Sequence, residues 1–118
     1  MGVAKCNDVA CKGFDEFFNT LDGTVSGVFS SSIVMASDDL PVVSYFDDIS
    51  NRLKIVVCND DACGEDDEAT RTLDESGHSV GRYNSVAIGS DGFPVVSYYD
   101  STARALKVAK CGSVDCGN

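Results

Sequence analysis

The cysteines are the residues of this chain whose type and spacing most clearly predict chemistry. They fall into three pairs with the same C-x4-C spacing: Cys6 with Cys11, Cys58 with Cys63, and Cys111 with Cys116. Matched pairs in an even total predict a local disulfide in each pair and an oxidising compartment, and closing so short a loop stabilises it by about 2 kcal/mol. Zinc is the alternative, but it usually takes C-x2-C or histidine-containing spacings, and the chain has one histidine. We therefore expect structural disulfides and no metal or other cofactor.

A second group of candidate residues recurs in two equivalent places. Tyr45 and Tyr98 could stack on the face of a sugar, and Asp47 and Asp100 could act as paired acids. Glycoside hydrolysis requires two carboxyl groups at a defined separation, one of them with a raised pKa. Because these residues recur in each copy of a repeat, a structural role is the competing interpretation, and we favour it.

Three features occur only once and are therefore candidates for function. Phe14, Phe17 and Phe18 stand where the other copy has polar or small residues, so we predict a subunit contact in preference to a cluster within the chain. Glu65–Glu68 is a run of acids that we interpret as a solvated loop, with a metal or a basic partner as the alternative. His78 could activate a nucleophile, but no third orienting group is identifiable, so we predict a solvent-exposed loop histidine.

The balance of charge and hydropathy argues against two classes of partner. Nine Lys and Arg stand against nineteen Asp and Glu, giving a formal net charge of -10, whereas nucleic-acid binding requires a basic surface. No apolar run approaches the roughly 18 residues that a membrane span requires. The N-terminal sequence lacks the basic start and apolar middle of a signal peptide, so we expect an export signal to be absent or removed before residue 1. With the disulfides, this predicts an extracellular or periplasmic protein.

An internal repeat supplies the elements that must position these residues. Residues 32–63 recur at residues 85–116, shifted so that Pro41 falls on Pro94, and the period is about 53 residues. The chain is therefore expected to be a single β-repeat domain. Its predicted parts are a partial repeat, a full repeat and a second partial repeat: residues 1–31, 32–84 and 85–118 of the domain 1–118.

The sequence of each repeat predicts four short antiparallel strands. The first strand is SIVMAS or SVAIGS, and the Asp-Asp or Asp-Gly after it predicts a two-residue hairpin turn. Proline then opens PVVSYFD or PVVSYYD, a loop leads to LKIVVC or LKVAKC, and a weaker fourth strand lies around Thr-Leu-Asp. The middle strands are apolar on both faces, which is expected when a sheet is covered on both sides.

The pattern S-D-x-x-P-V-V-S-Y-[FY]-D, followed by L-K-x-x-x-C and C-x4-C, resembles the repeats of secreted bacterial β-propeller proteins of the D-G-x-P-x-x-S-Y-Y-D type. The resemblance covers nearly the whole chain and implies that each repeat is a propeller blade, with SVAIGS innermost and the Thr-Leu-Asp strand outermost. Asp39 departs from it, because the family pattern has a turn glycine there, and the type of that turn is open. Such propellers include hydrolases, lectins and scaffolds, so the resemblance does not select a function.

Two repeats cannot close a propeller, which typically has four to eight blades. We therefore expect a homo-oligomer, with about three chains forming a ring of about six blades; a β-sandwich is the alternative fold. Val3-Ala4-Lys5-Cys6 repeats the sequence of Val108–Cys111, so N-terminal strands of one subunit could complete the C-terminal blade of its neighbour. Val3 is accordingly a predicted interface residue, and the sequence does not say which copy of the strand is displaced.

The favoured function is a non-enzymatic binding or self-assembly module that presents its loops to a ligand, with a glycan as the expected class. The predicted ligand contacts are Asn51, Arg104, Tyr45 and Tyr98, the first two in the loops Asp48–Arg52 and Ser101–Ala105. The alternatives are a glycoside hydrolase that uses carboxylates gathered around a ring axis, and a purely structural propeller fragment.

Overall fold

The computed structural model describes residues 30–60, 63, 70–114 and 116 in full, and residues 2–5, 17–20 and 69 by their backbone. All regular structure in these residues is β-strand, which confirms the all-β prediction for them. The strands are β1 (Gly2–Lys5), β2 (Phe17–Thr20), β3 (Ser31–Met35), β4 (Pro41–Asp47), β5 (Arg52–Val57), β6 (Ala69–Thr72), β7 (Val80–Ile88), β8 (Pro94–Asp100) and β9 (Ala105–Lys110).

The strands form antiparallel sheets in chain order. β3-β4-β5-β6 is a four-stranded sheet, called the first sheet here, and β7-β8-β9 is a three-stranded one, the second sheet. β1 and β2 pair with each other. The four predicted strands of a repeat are therefore found as β3–β6, and in the described residues that follow, three are found as β7–β9.

The hairpins between the first and second strands of each copy have the same geometry. Ala36 N donates to Leu40 O at 2.9 Å, and Asp39 N donates to Ala36 O at 2.9 Å. Asp39 adopts a φ of 63°, and its counterpart Gly92 adopts 85°. The loop is thus three residues long with a left-handed third residue, a common hairpin form. The prediction of a two-residue turn is wrong, because the glycine serves the third loop position.

The core lies between the two sheets, which pack face to face. Leu53 and Ile55 of the first sheet join Val86 and Val96 of the second in one buried cluster. We call these the inner faces of the two sheets. Their approach is close, because a Cβ on Gly81, whose φ is 119°, would lie 2.9 Å from Leu53 Cα. Only a glycine fits this place on β7.

Disulfides clip the segment after the third strand of each copy. Cys58 is bonded to Cys63 and Cys111 to Cys116, with Cα separations of 5.0 and 4.8 Å. Two of the three predicted disulfides are therefore confirmed, and these four cysteines are not zinc ligands. They indicate an oxidising, extracellular type of environment.

The third predicted disulfide joins Cys6 to Cys11. Both Cys6 and Cys11 lie outside the described residues, so this bond is not among those observed and stays a prediction. The sequence also predicts no membrane-spanning segment. Within the described part, no helix has the length and apolarity needed to cross a membrane.

Candidate functional site

The loops that follow β4 and β8 are built in the same way, each around an aspartate at the end of the strand. Asp47 Oδ1 accepts hydrogen bonds from the backbone N–H groups of Ile49, at 2.9 Å, and Ser50, at 3.3 Å. Asp100 Oδ1 accepts one from Ala103 N at 2.9 Å. Side-chain oxygens of this kind organise tight turns. One oxygen of each recurring aspartate therefore holds a loop in shape.

The connector that leads into β7 ties the two loops together. Val80 N donates to Asn51 O in the first loop at 3.1 Å, while Ser101 N in the second loop donates to Ser79 O at 3.0 Å. Ser79 N in turn donates to Thr102 Oγ1 at 3.0 Å. Both predicted ligand loops consequently lie side by side at one end of the sheets. We call this surface the loop end.

A charged cluster lies beneath the second loop. The Asp100 side chain is fully buried, and its Oδ2 lies 2.8 Å from Lys107 Nζ and 2.7 Å from His78 Nδ1. Tyr98 Oη donates to Asp74 Oδ2 at 2.7 Å, and Lys107 Nζ lies 3.6 Å from that same oxygen. The cluster joins the connector to the second and third strands of the second sheet.

The electrostatics of the cluster favour charged carboxylates. Burial alone would raise the pKa of Asp100, but the Ala103 N–H, Lys107 and His78 outweigh it and hold that pKa well below its usual range. Burial would raise the pKa of Asp74 as well, but its hydrogen bonds outweigh burial and lower that pKa to about 2. The pKa of Tyr98 is raised, first by burial and then by Asp74. At neutral pH both acids are therefore ionised and the tyrosine is protonated.

The ion pair of this cluster recurs in the earlier copy. Asp47 Oδ2 pairs with Lys54 Nζ at 2.7 Å. Burial would raise the pKa of Asp47, but Lys54 and the turn N–H groups outweigh burial and lower that pKa to about 2. The chain has one histidine, His78, in the connector that leads into β7. From Asp74 to Gly81 this connector is two residues longer than the equivalent sequence from Asp22 to Gly27. His78 is thus an added partner of a recurring ion pair.

This arrangement holds the loops in place through ion pairs and hydrogen bonds. A glycoside hydrolase needs one carboxylic acid that stays protonated near neutral pH. Among the described residues, each carboxyl group with a shifted pKa shifts downward: Asp47, Asp74, Asp91 and Asp100. No three metal-ligating side chains group together in the same described residues.

The predicted ligand contacts separate into two kinds. Asn51 and Arg104 lie exposed at equivalent positions of the two loops, with φ values of 57° and 55°. Tyr45 and Tyr98 are 0% and 4% exposed, so neither presents a ring face to a sugar. The tyrosines were predicted as ligand contacts, but their rings belong to the interior. Tyr98 lies in the core between the sheets, and Tyr45 is buried on the opposite, outer side of the first sheet.

Several other predictions meet the structure only in part. His78 is 39% exposed, as a loop residue should be, but its bond to Asp100 was not foreseen. Val3, Phe17 and Phe18 lie in strands described by their backbone alone. Phe14 and the acidic run Glu65–Glu68 lie outside the described residues. Asp74 and Lys107 were missed as cluster members, although the recurring Thr-Leu-Asp and Leu-Lys pairs were the signal for them.

A second surface, away from the loop end, is apolar and uncovered. Leu106 and Val108 of β9 are 78% and 65% exposed, whereas Leu53 and Ile55, their counterparts one repeat earlier, are fully buried. Leu106 and Val108 lie beside half-buried residues of β8, because Tyr99 pairs with Leu106 across the ladder. We name this outer surface of the second sheet the open face: Val95, Tyr99, Leu106 and Val108.

The first sheet has a matching exposed patch on its outer side. Ile33 and Met35 of β3 are 53% and 47% exposed. Their counterparts in β7 are less exposed, because Val86 is buried in the core between the sheets and the half-buried Ile88 packs against that core. We name Ile33 and Met35 the β3 patch.

A scan against protein-family models gave no match for this chain, and searches of curated proteins and of solved structures gave none either. The loop end, the open face and the β3 patch are therefore the surfaces from which a function can be argued.

Proposed function

We propose that the chain is a non-enzymatic self-assembly module, a pair of propeller blades that closes a ring with copies of itself. The observation that carries the proposal is the difference between equivalent residues. Leu53 and Ile55 are fully buried, and Leu106 and Val108 are 78% and 65% exposed. Apolar side chains at such exposure, gathered on one sheet face, mark a surface that is covered in the functional state.

The contact inside one chain supplies the geometry of the contact between chains. Within the chain, Leu53 on the inner face of the first sheet meets the inner face of the second, where Val86 lies. The open face carries the counterpart of Leu53, and the β3 patch carries the counterpart of Val86. An open face packed on the β3 patch of the next copy would therefore repeat the interface that the chain already contains.

Such an interface is head-to-tail, because two different surfaces meet. Head-to-tail interfaces generate closed rings when the rotation between copies closes, and filaments when it does not. Propellers close with about four to eight blades, so chains of two blades give about three subunits for a ring of about six. Secretion or export to the periplasm fits the disulfides and is part of the proposal.

Native mass is the decisive measurement, made by light scattering after size exclusion. We expect an oligomer of about three chains. Leu106→Asp with Val108→Asp should reduce it to a monomer, because two charges would be buried in the interface. Ile49→Asp is the matched control, since Ile49 is 65% exposed but lies in the loop after β4, away from the open face.

Two results would count against the proposal, the first against assembly itself and the second against the open face as its interface. One is a monomer for the unaltered chain at high concentration, which would favour a self-contained two-sheet sandwich. The other is an oligomer that Leu106→Asp with Val108→Asp leaves intact while Ile49→Asp disrupts it, which would place the interface at the loop end.

The loop end supports a second candidate function, binding of a ligand such as a glycan. The specific observation is that the connector bonds both loops, through Val80 N to Asn51 O and through Ser79 O to Ser101 N. Binding residues are often carried on loops that a rigid scaffold holds in place. We expect Arg104→Ala with Asn51→Ala to abolish binding on a glycan array without changing the native mass. If the unaltered chain bound no glycan on the array, the result would argue against this function without affecting the assembly proposal.

A further inference from the structure

The third strand of each copy has a different neighbour on its outer edge. β5 pairs with β4 on one side and β6 on the other. β9, its counterpart, pairs with β8 and is the edge strand of its sheet among the described residues. An open strand edge presents unpaired N–H and C=O groups and is a template for another strand. The second sheet, as described, thus has three strands where the first sheet has four.

The N-terminal strand pair contains the element that would complete it. β1 carries Val3-Ala4-Lys5, which is the sequence of Val108-Ala109-Lys110 in β9. β2 ends at Thr20, the first residue of Thr-Leu-Asp, as β6 ends at Thr72, the first residue of the same tripeptide. β1 therefore corresponds to a third strand, and β2 to a fourth.

The register of the two pairs is the same. In β1–β2, Val3 lies opposite Asn19 and Ala4 opposite Phe18. In β5–β6, the residues opposite each other at the equivalent positions are Ile55↔Arg71 and Val56↔Thr70. β2 already pairs, in fourth-strand register, with a strand that shares Val-Ala-Lys with β9.

We propose that in the assembled ring β2 of one copy pairs with β9 of its neighbour, which takes the place of β1. This inference rests on the proposed self-assembly and names the strand that completes the interface. The ladder keeps its residues: Asn19 would exchange Val3 for Val108, and Phe18 would exchange Ala4 for Ala109. Backbone hydrogen bonds are therefore conserved in the exchange, and burial of the open face supplies its driving force.

Displacement of β1, and not of β9, follows from how each strand is held. β9 pairs along its length with β8, from Ala105 opposite Asp100 to Lys110 opposite Val95. Lys107 of β9 also binds the buried Asp100 at 2.8 Å, and β1 has Gly2 at that position, without a cation. β1 pairs only with β2 in the described structure. Losing β9 would break the charged cluster, whereas losing β1 breaks one short ladder.

Cysteine pairs in the full-length chain distinguish the two partners of β2. Asn19→Cys with Val108→Cys, the test pair, places one thiol on each strand of the proposed ladder. Asn19→Cys with Val3→Cys is the matched control pair for the unexchanged ladder. Cysteines directly opposite each other in antiparallel strands can form a disulfide. After mild oxidation, native mass is measured by light scattering and covalent mass under denaturing, non-reducing conditions, with the new disulfide assigned by peptide mapping.

We expect the chain with the test pair to shift from single-chain covalent mass to linked dimers and larger species, while the control pair keeps free thiols in the oligomer. An oligomer in which the control pair links and the test pair does not would overturn the strand exchange and leave the assembly intact. A link between the two test cysteines inside one chain would overturn it too. A monomeric native mass for every variant would reject assembly and, with it, the exchange.

A neighbouring position provides an independent second test. Phe18→Cys with Ala109→Cys should link between chains, and Phe18→Cys with Ala4→Cys should not. This pair reports on the same register if the first variant does not fold. Links at both positions would fix the register, and a link at position 18 to a residue other than 109 would show that the proposed register is wrong.

Discussion

The two sheets carry nearly the same strands in opposite environments. Leu53 and Leu106 share the dipeptide Leu-Lys and the same place in the third strand, yet one is fully buried and the other is 78% exposed. The difference comes from what lies on top of each leucine, since Gly81 of the next sheet covers Leu53. Burial in this chain is a property of the neighbouring repeat and not of the residue itself.

The largest expected loss of stability comes from truncating Leu53, and the same change at Leu106 is its counterpart. Leu53→Ala should destabilise the chain by about 3 kcal/mol, because it opens a cavity in the core. Leu106→Ala should change the free energy of unfolding of the monomer by less than about 0.5 kcal/mol, as exposed positions do. Denaturant unfolding at a concentration where the chain is monomeric checks both. Equal costs at the two positions would mean that Leu106 is buried within the monomer.

Gly81, which lies against Leu53, is expected to tolerate no side chain. Gly81→Ala should cost about 3 kcal/mol, because its φ is 119° and the new Cβ would lie 2.9 Å from Leu53 Cα. Gly77→Ala is the control: its φ is 85°, but no atom lies within 4 Å of the new Cβ, so only about 1 kcal/mol of backbone strain is expected. Thermal unfolding of both variants measures the difference, and similar losses would show that backbone strain alone explains Gly81.

Acid should weaken the first sheet through its ion pair. The pKa of Asp47 is about 2 in the folded chain against 3.8 normally, because burial, which would raise it, is outweighed by Lys54 and the turn N–H groups. A lowered pKa stabilises the fold above about pH 4, and up to about 2 kcal/mol is lost as the pH falls through 2. Lys54→Met should flatten this pH dependence of unfolding. Lys110→Met, which removes the cation of a solvent-exposed pair with Asp91, should change this pH dependence less.

The smallest effects are expected at the hairpin loops, where the copies differ by one residue. Asp39→Gly should stabilise the chain by about 0.5 kcal/mol, because glycine adopts the left-handed φ of 63° without strain. Gly92→Ala should destabilise it by about 1 kcal/mol at the equivalent position. Melting temperatures of the pair should move in opposite directions, and a shift of the same sign in both would show that side-chain contacts of Asp39 dominate.

The strands were predictable because their signals are local. Proline at Pro41 and Pro94, the apolar runs after it and the turn residues between runs fix the strand limits to within one residue in β4, β5, β8 and β9. The start of β7 was not predictable in this way. β7 begins at Val80, because Gly81 permits a close approach to Leu53, and that contact joins residues far apart in sequence.

The candidate site residues also differ in whether a local sequence signal predicts them. The exposed loop positions of Asn51 and Arg104 could be read from the repeat, and their role as ligand contacts stays a prediction. The burial of Tyr45 and Tyr98 was missed because a recurring aromatic residue looks the same in sequence whether its ring faces solvent or is covered by other residues. The bond from His78 to Asp100 depends on the path of the longer connector, which no local pattern specifies.

The connector between β6 and β7 joins the two sheets in one polypeptide and so keeps their inner faces close to each other. A tethered pair of surfaces meets at an effective concentration on the order of millimolar, whereas copies of the chain meet only at their concentration in solution. In the proposed ring, the interface inside the chain would therefore form first, and the equivalent one between chains would form only above a threshold concentration of the chain. If several copies of the chain were joined by the same connector into one polypeptide, that threshold would disappear and ring closure would no longer depend on dilution.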